Sequence, residues 1–124
     1  MADEPVNKWE ALVAKLLQLT QEGAIKWQAG EPPTELLRAK ERTSVVYTTS
    51  YLGQHLRIYE YENKYWMDED RFEWSGSVRL EFTDPSGRAN FEIPGGGVGQ
   101  WDLLRAVQHQ TSNVDAFLEK LGIS

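Results

Sequence analysis

The protein has 124 residues, a net charge of −6 and a calculated isoelectric point of about 4.9. Hydrophobic residues make up 40% of the chain and charged residues 26%, which excludes a disordered composition and suffices for one core. The chain has no cysteine, which excludes disulfides, thiol nucleophiles, thiolate zinc sites and iron–sulfur clusters. Its 13 Lys and Arg residues are scattered, which disfavours nucleic-acid binding.

The sequence also indicates where the protein acts. Its first residues, MADEPVNKWE, have no basic segment and no apolar run, so we expect no secretory signal. No apolar stretch approaches the roughly 20 residues of a membrane-spanning helix. The lack of cysteine fits a reducing compartment. We therefore expect a cytoplasmic protein with a single domain over residues 1–124.

The first predicted element is an amphipathic helix. Apolar residues recur every three or four positions from Trp9 to Leu17, which is the spacing of a stripe along one helix face. Asp3 or Asn7 is predicted to cap its start, and Gly23 to end it. This stripe is expected to pack on a sheet.

Two weaker elements are predicted after this helix. Ile25 and Trp27 alternate with polar neighbours, which is typical of a short strand. Pro32-Pro33 breaks that strand, and Thr34 is a suitable cap for a short helix over residues 35–40.

From Ser44 the hydrophobic period changes to two, which predicts strands. The segments SVVYTTSY and QHLRIYEYE flank Leu52-Gly53, a plausible two-residue hairpin turn. If Tyr51 faces Gln54, one sheet face carries the apolar side chains that pack under the helices. The other face then carries Val46, Thr48, Ser50, His55, Arg57, Tyr59 and Tyr61.

A second hairpin is predicted from SVRLEFT-DPSG-RANFEI. The residues of Asp84-Pro85-Ser86-Gly87 suit a tight turn. Pairing of Thr83 with Arg88 would set Arg79 directly opposite Glu92. Between the hairpins, YWM at positions 65–67 predicts a middle strand.

A glycine-rich run, PGGGVGQW, precedes the C-terminal helical region. The stripe from Trp101 to Val107 predicts one helix, and Val114 to Leu121 predicts its continuation, with Gly122 at the end. The predicted fold class is therefore α+β. It comprises an N-terminal amphipathic helix, an antiparallel meander of four to five strands, and a C-terminal helix or helix pair packed on one sheet face.

The glycine run lacks the features of a nucleotide-binding loop. A Walker loop needs Lys and Ser or Thr after its last glycine, whereas Gln100 and Trp101 follow Gly99. The spacing of a dinucleotide-binding loop is also absent. Backbone amides of Gly95–Gly99 could still hold an anion, but a pliable connection or a close backbone approach is the simpler interpretation.

Other candidate chemistry is weak. The acidic residues Asp68, Asp70 and Glu73 do not follow the spacing of a calcium-binding loop. Ser50 and His55 are predicted to face each other across the first hairpin, but no strand-turn-helix motif accompanies them. We therefore predict no catalytic residue, no metal ligand and no cofactor.

The aromatic content is the strongest functional signal, since the chain has five Trp and five Tyr. The predicted binding residues are Arg57, Tyr59, Tyr61, Trp66 and Trp74, of residue types enriched in protein interfaces. The predicted function is protein–protein binding without catalysis, which includes self-association as a homodimer. The alternative is a protein that binds a sugar, a peptide or an anion, or a modest enzyme, with a site near residues 66–74 or at Gly95–Gly99.

Overall fold

The computed structural model describes residues 8–36, 41–95 and 98–123, which form three α-helices and six β-strands. The helices are α1 (Lys8–Gln21), α2 (Val98–Thr111) and α3 (Val114–Lys120). The strands are β1 (Gln28–Gly30), β2 (Glu41–Arg42), β3 (Val46–Tyr51), β4 (Gln54–Trp66), β5 (Phe72–Thr83) and β6 (Ala89–Glu92), and Thr34–Leu36 form a 3-10 turn. The α+β class and the order of helix, antiparallel sheet and helices are confirmed.

The strands form one antiparallel sheet in the order β1-β3-β4-β5-β6, and β2 pairs with β4 beyond the end of β3. The β4–β5 ladder is the longest, running from the pair His55–Thr83 to the pair Trp66–Phe72. β2 reaches only as far as Asn63 of β4. The end of the β4–β5 hairpin therefore extends beyond the other described strands as a two-stranded ribbon, which we call the arm (residues 64–74).

The helices α1 and α2 cover one face of the sheet. Ile58 and Leu80 on that face are fully buried, and Val13 of α1 and Leu104 of α2 belong to the same cluster. Gly99 allows the two helices to approach closely, because a Cβ atom there would lie 3.4 Å from Val13 Cγ1. The predicted packing of both stripes on the strands is thus confirmed for α1 and α2.

A polar side chain joins the end of α2 to the chain that follows α1. The side-chain amide of Gln110 accepts a hydrogen bond from Trp27 N at 2.7 Å and donates to Ile25 O at 2.8 Å. It also donates to Thr20 O at 3.2 Å. Trp27 N, Thr20 O and Ile25 O belong to a partly buried segment outside the strands, so the Gln110 amide supplies the hydrogen bonds that these backbone groups need.

Glycine ends two helices as predicted. Gly23 has φ 78°, and Ala24 N donates to Leu19 O. Gly122 has φ 79°, and Ile123 N donates to Leu118 O. Both ends have the 6→1 hydrogen bond of a Schellman motif. The predicted N-terminal caps, Asp3 and Asn7, lie outside the described residues, as do positions 37–40 of the predicted short helix.

The apolar stripe of α3 does not reach the core. The helix has no buried residue, and Phe117 and Leu121 are 61% and 57% exposed. Asn113, with φ 57°, redirects the chain between α2 and α3. Of the predicted C-terminal helix pair, only α2 therefore packs on the sheet. Within the described residues, no helix combines the length and apolarity needed to cross a membrane.

The two hairpins differ in how well their register follows from sequence. Tyr51 pairs with Gln54 as predicted. In the second hairpin, Glu92 lies opposite Glu81 rather than Arg79, because Thr83 pairs with Ala89 instead of Arg88 and an irregularity between Phe82 and Thr83 shifts the pairing by one more residue. Arg79 Nε still lies 3.7 Å from a Glu92 carboxylate oxygen, as a diagonal rather than a direct neighbour.

The turn at Leu52-Gly53 predicts a stabilising substitution. Both residues have positive φ, 50° and 80°, as a type I′ turn requires, and Leu52 is 86% exposed. Left-handed backbone costs leucine about 1 kcal/mol, whereas asparagine adopts it readily. Leu52→Asn should raise the free energy of unfolding in urea by about 0.5–1 kcal/mol. Leu52→Val is the control and should lower the free energy of unfolding. An Asn variant no more stable than wild type would contradict the type I′ turn at Leu52-Gly53.

Candidate functional site

The sheet face opposite the helices is covered where Arg57 and Tyr59 lie. These residues are 3% and 0% exposed, and Tyr59 packs with Leu36 of the 3-10 turn and Val46 of β3. Leu36 thus covers part of the sheet face on which we predicted binding residues. Arg57 and Tyr59 are therefore part of the interior, and the expectation that they contact a partner does not hold in this structure.

Arg57 has a structural partner instead. Its Nε and Nη2 atoms donate to Glu81 Oε1 at 3.0 and 2.8 Å, and its Nη1 atom donates to Gly87 O at 2.8 Å. The two side chains are only 4% and 7% exposed. The pair therefore connects β4, β5 and the turn that precedes β6.

Tyr59 is also held by neighbours. Arg79 Nη1 lies 3.1 Å from the Tyr59 hydroxyl, and Arg79 Nη2 lies 3.4 Å from Glu41 of β2. Burial raises the pKa of Tyr59 above its usual value, so the phenol stays neutral. Tyr61, the next predicted residue on this face, is half-buried beneath Arg79, whose guanidinium carbon is 4.0 Å from its ring centroid.

The buried pair predicts a large loss of stability when one charge is removed. Glu81→Gln leaves the Arg57 charge buried without a counter-charge, so the free energy of unfolding in urea should fall by about 3 kcal/mol. The matched control is Glu62→Gln, which removes the exposed Arg42–Glu62 pair of 2.7 Å and should cost less than about 1 kcal/mol. Equal losses in the two variants would contradict a structural role specific to Arg57 and Glu81.

The arm brings Trp66 and Trp74 together with Phe72. The ring centroids of Trp66 and Phe72 are 5.0 Å apart, and those of Phe72 and Trp74 are 5.9 Å apart. We call these three residues the aromatic row. Lys64 Nζ lies 4.5 Å from the Phe72 ring centroid, and the Arg42 guanidinium carbon lies 3.7 Å from that of Trp74. Two cations therefore hold the row in place through cation–π contacts.

The aromatic row lies on the helix-covered face of the sheet but beyond the helices. Trp101 of α2 reaches Gly76, where its Cη2 atom is 3.9 Å from the position of a Cβ. Trp66, further along the ladder, is 56% exposed. Tyr65 on the opposite face and Met67 at the tip are 63% and 54% exposed. Such clusters of large apolar side chains are unusual on monomeric proteins and typically mark contact sites.

The acidic residues near the tip build its turn. The Asp68 carboxylate accepts hydrogen bonds from the backbone N–H groups of Asp70 and Arg71, both at 2.9 Å, and from Arg71 Nε at 3.1 Å. Met67 N donates to Arg71 O at 2.9 Å and closes the hairpin. Among the described residues, no group of three or more His, Cys, Asp or Glu is arranged to hold a metal ion.

Asp68 predicts a pH dependence. The hydrogen bonds from Asp70 N and Arg71 lower the pKa of Asp68 below its unfolded value of 3.8. Its contribution to stability is therefore complete above that pH and is lost as the pH falls through the lower folded pKa. The difference in urea midpoint between wild type and Asp68→Asn should shrink on acidification from about pH 6 to about pH 2. A constant difference would contradict this role. For the control Glu69→Gln, the difference in urea midpoint from wild type should stay small, because no described residue hydrogen-bonds Glu69.

The alternative sites have structural explanations. Gly95 has φ 127°, and the buried Gln100 side chain donates to Ile93 O at 3.4 Å, inside the turn that precedes α2. Gly96 and Gly97 lie outside the described residues. Ser50 Oγ and His55 Nδ1 are 2.7 Å apart, as predicted, but Thr83 is the residue that pairs with His55 on the next strand. Among the described residues, no carboxylate hydrogen-bonds the His55 ring to orient it.

Sequence reasoning missed Phe72, Lys64 and Arg42. Phe72 and Trp74 are two positions apart in the sequence, and this spacing indicates that both side chains lie on the same face of a strand. The pairing of Phe72 with Trp66, and of Trp74 with Lys64, follows only once the turn is placed at residues 68–71. The contact of Arg42 with Trp74 depends on the pairing of β2 with β4.

Comparisons with known proteins do not indicate a function for this chain. No protein-family model matches the chain, and neither a curated protein nor a solved structure is significantly similar to it.

Proposed function

We propose that this protein acts in the cytoplasm by binding another polypeptide chain, without catalysing a reaction, and that the arm is its contact surface. The observation that carries the proposal is the exposure of Tyr65, Trp66, Met67 and Phe72 on one two-stranded ribbon. Trp and Tyr contribute strongly to binding energy when a partner buries them.

The chemistry of the arm supports a protein partner. The exposed surfaces of Trp66 and Phe72 lie together on one face of the arm and supply the apolar centre of an interface, which typically buries about 800 Å² per partner. Lys64 stacks on this row and Asp68 holds the tip, so the surface is largely preorganised. Preorganised groups lose less conformational entropy when they bind.

A small ligand is less well supported at residues 66–74. Tyr65 and Trp66 occupy successive positions of a strand and therefore project from opposite faces of the ribbon. Small-molecule sites are enclosed and bury most of the ligand, whereas a ribbon offers surface on both sides. At Gly95, the Gln100 side-chain nitrogen lies 3.4 Å from the position of a Cβ and donates to Pro94 O at 3.5 Å, so this side chain occupies the space beside the glycine.

Site-specific photo-crosslinking tests the proposal. A benzophenone amino acid placed at Tyr65 should capture a second polypeptide in the cells that make the protein. The same group at Leu52 should not, although Leu52 is also a hairpin residue and is 86% exposed. The captured chain, once purified, should bind wild type and should bind Phe72→Ala at least about tenfold more weakly in calorimetry.

Two results would overturn the proposed function. One is equal capture, or no capture, from positions 65 and 52. The other is a captured chain that binds Phe72→Ala and Leu52→Ala with the same affinity as wild type. Circular dichroism and urea midpoints of each variant establish that it is folded before binding is compared.

A further inference from the structure

The outer edge of β5 beside the aromatic row is unpaired in the part of the chain that the structure describes. β6 pairs with β5 only over Glu81–Thr83, and Ile93 N adds one hydrogen bond, 2.8 Å long, to Leu80 O. From Val78 to Phe72, no described strand lies on that side. This edge carries the backbone groups of residues 72–78.

The direction of these backbone groups follows from the hydrogen bond at Leu80. Since Leu80 O points away from β4, and successive residues of a strand point their N–H and C=O groups to alternate sides, even-numbered residues face outward. The outward-facing residues of the free edge are Phe72, Trp74, Gly76 and Val78. Odd-numbered residues such as Ser75 direct their N–H and C=O groups to β4.

We infer that a second copy of this chain pairs antiparallel with the free edge of β5, so that Ser75 lies opposite Ser75 of the second copy. This inference rests on the arm being a contact surface, and it names the partner. In this arrangement one sheet continues across two molecules related by a two-fold axis.

The ends of the edge determine the register. Ile93 occupies the edge at Leu80, and β5 begins at Phe72, directly after the turn at residues 68–71. Symmetric pairing over the whole of 72–78 therefore requires Phe72 opposite Val78 and Trp74 opposite Gly76 of the second copy. Shifting the strands by two residues in either direction shortens the paired segment.

The residues on the edge favour this pairing. Glu73 would lie opposite Ser77 of the second copy, so no like charges face each other. Ser75, Gly76 and Ser77 are small and let another backbone approach. The ring of Trp74 is stacked on Arg42, which belongs to β2 on the far side of β4, so the ring does not block the edge.

The free edge also lacks the usual protection of exposed strands. Its sequence, FEWSGSV, has no Pro and no Lys, and the β4–β5 register is regular throughout this segment. Pairing would form about eight intermolecular hydrogen bonds, because each of the outward-facing pairs exchanges two. It would also place the exposed ring of Phe72 beside Val78 of the second copy.

A single engineered thiol tests the register, since the chain has no cysteine. Residue 75 would face itself in a non-hydrogen-bonded pair with Cα atoms about 4.5 Å apart, which a disulfide can bridge. Ser75→Cys should form a disulfide-linked dimer under mild oxidation, detected on non-reducing gels and by mass spectrometry. Two control variants should form at least about tenfold less of this disulfide-linked dimer. They are Ser77→Cys, which would lie opposite Glu73 of the second copy, and Ser112→Cys, on an exposed turn.

A charge-swap experiment tests the same contact without oxidation. Wild type should be a dimer by size-exclusion chromatography with light scattering. Ser75→Asp and Ser75→Lys should each be monomeric because residue 75 faces itself, and mixing the two variants should restore a dimer. Asn63→Asp, on the neighbouring strand opposite Ser75, is the control and should remain dimeric.

The outcomes separate this inference from the proposed function. A monomeric wild type whose Ser75→Cys variant does not cross-link overturns edge pairing, while capture of a different chain from position 65 would still support binding through the arm. A dimer that persists in both Ser75→Asp and Ser75→Lys also overturns edge pairing. If position 65 captures nothing and wild type is monomeric, both proposals fail.

Discussion

The β4–β5 ladder is longer than anything packed against it, and this mismatch organises the molecule. Its pairing is unbroken from His55–Thr83 to Trp66–Phe72, whereas β3, β2 and β6 each cover only a part of it. Where helices and flanking strands meet the ladder, its side chains form the core. Where they end, the same two strands continue as the arm. Cross-strand hydrogen bonds alone rarely stabilise a two-stranded ribbon, so the arm depends on the body that holds its base.

The body and the arm use aromatic and charged residues in different ways. In the body, Arg57 and Glu81 are buried as a pair, and Tyr59 is buried against Leu36 and Val46. In the arm, Lys64 and Arg42 lie over aromatic rings that stay accessible. A buried charge needs a counter-charge because desolvation is costly, whereas an exposed cation on a ring needs none. Similar residue types therefore contribute to stability in the body and to the surface properties of the arm.

Within the described part of the chain, β5 has an unpaired edge beside two rings of the aromatic row, Phe72 and Trp74. An edge strand can template the addition of another strand, and apolar side chains beside it increase the area buried by that addition. The small residues Ser75 and Gly76 lie at the middle of this edge, while the bulky Phe72 and Trp74 lie toward the tip. This distribution allows close backbone approach at the centre and side-chain contact toward the ends.

The sequence by itself determined the features that depend on neighbouring residues. These include the α+β order, the helix ends at Gly23 and Gly122, and the pairing of Tyr51 with Gln54 across a turn that glycine permits. Alternation also placed Arg57 and Tyr59 on the face opposite the helices. Whether that face is covered was decided only by the tertiary structure, because Leu36 comes from a segment more than 20 residues away.

The exposure of Trp66 and the β5–β6 register were likewise decided by tertiary structure. Trp66 has the apolar phase of a core residue, and it is exposed because α2 reaches only to Gly76. The pairing of Thr83 with Ala89 and the bulge beside Thr83 together change the partner of Glu92, and no unusual residue in the sequence marks either feature. Local periodicity reports which side of a strand a residue occupies, but burial depends on how far distant elements extend over that side.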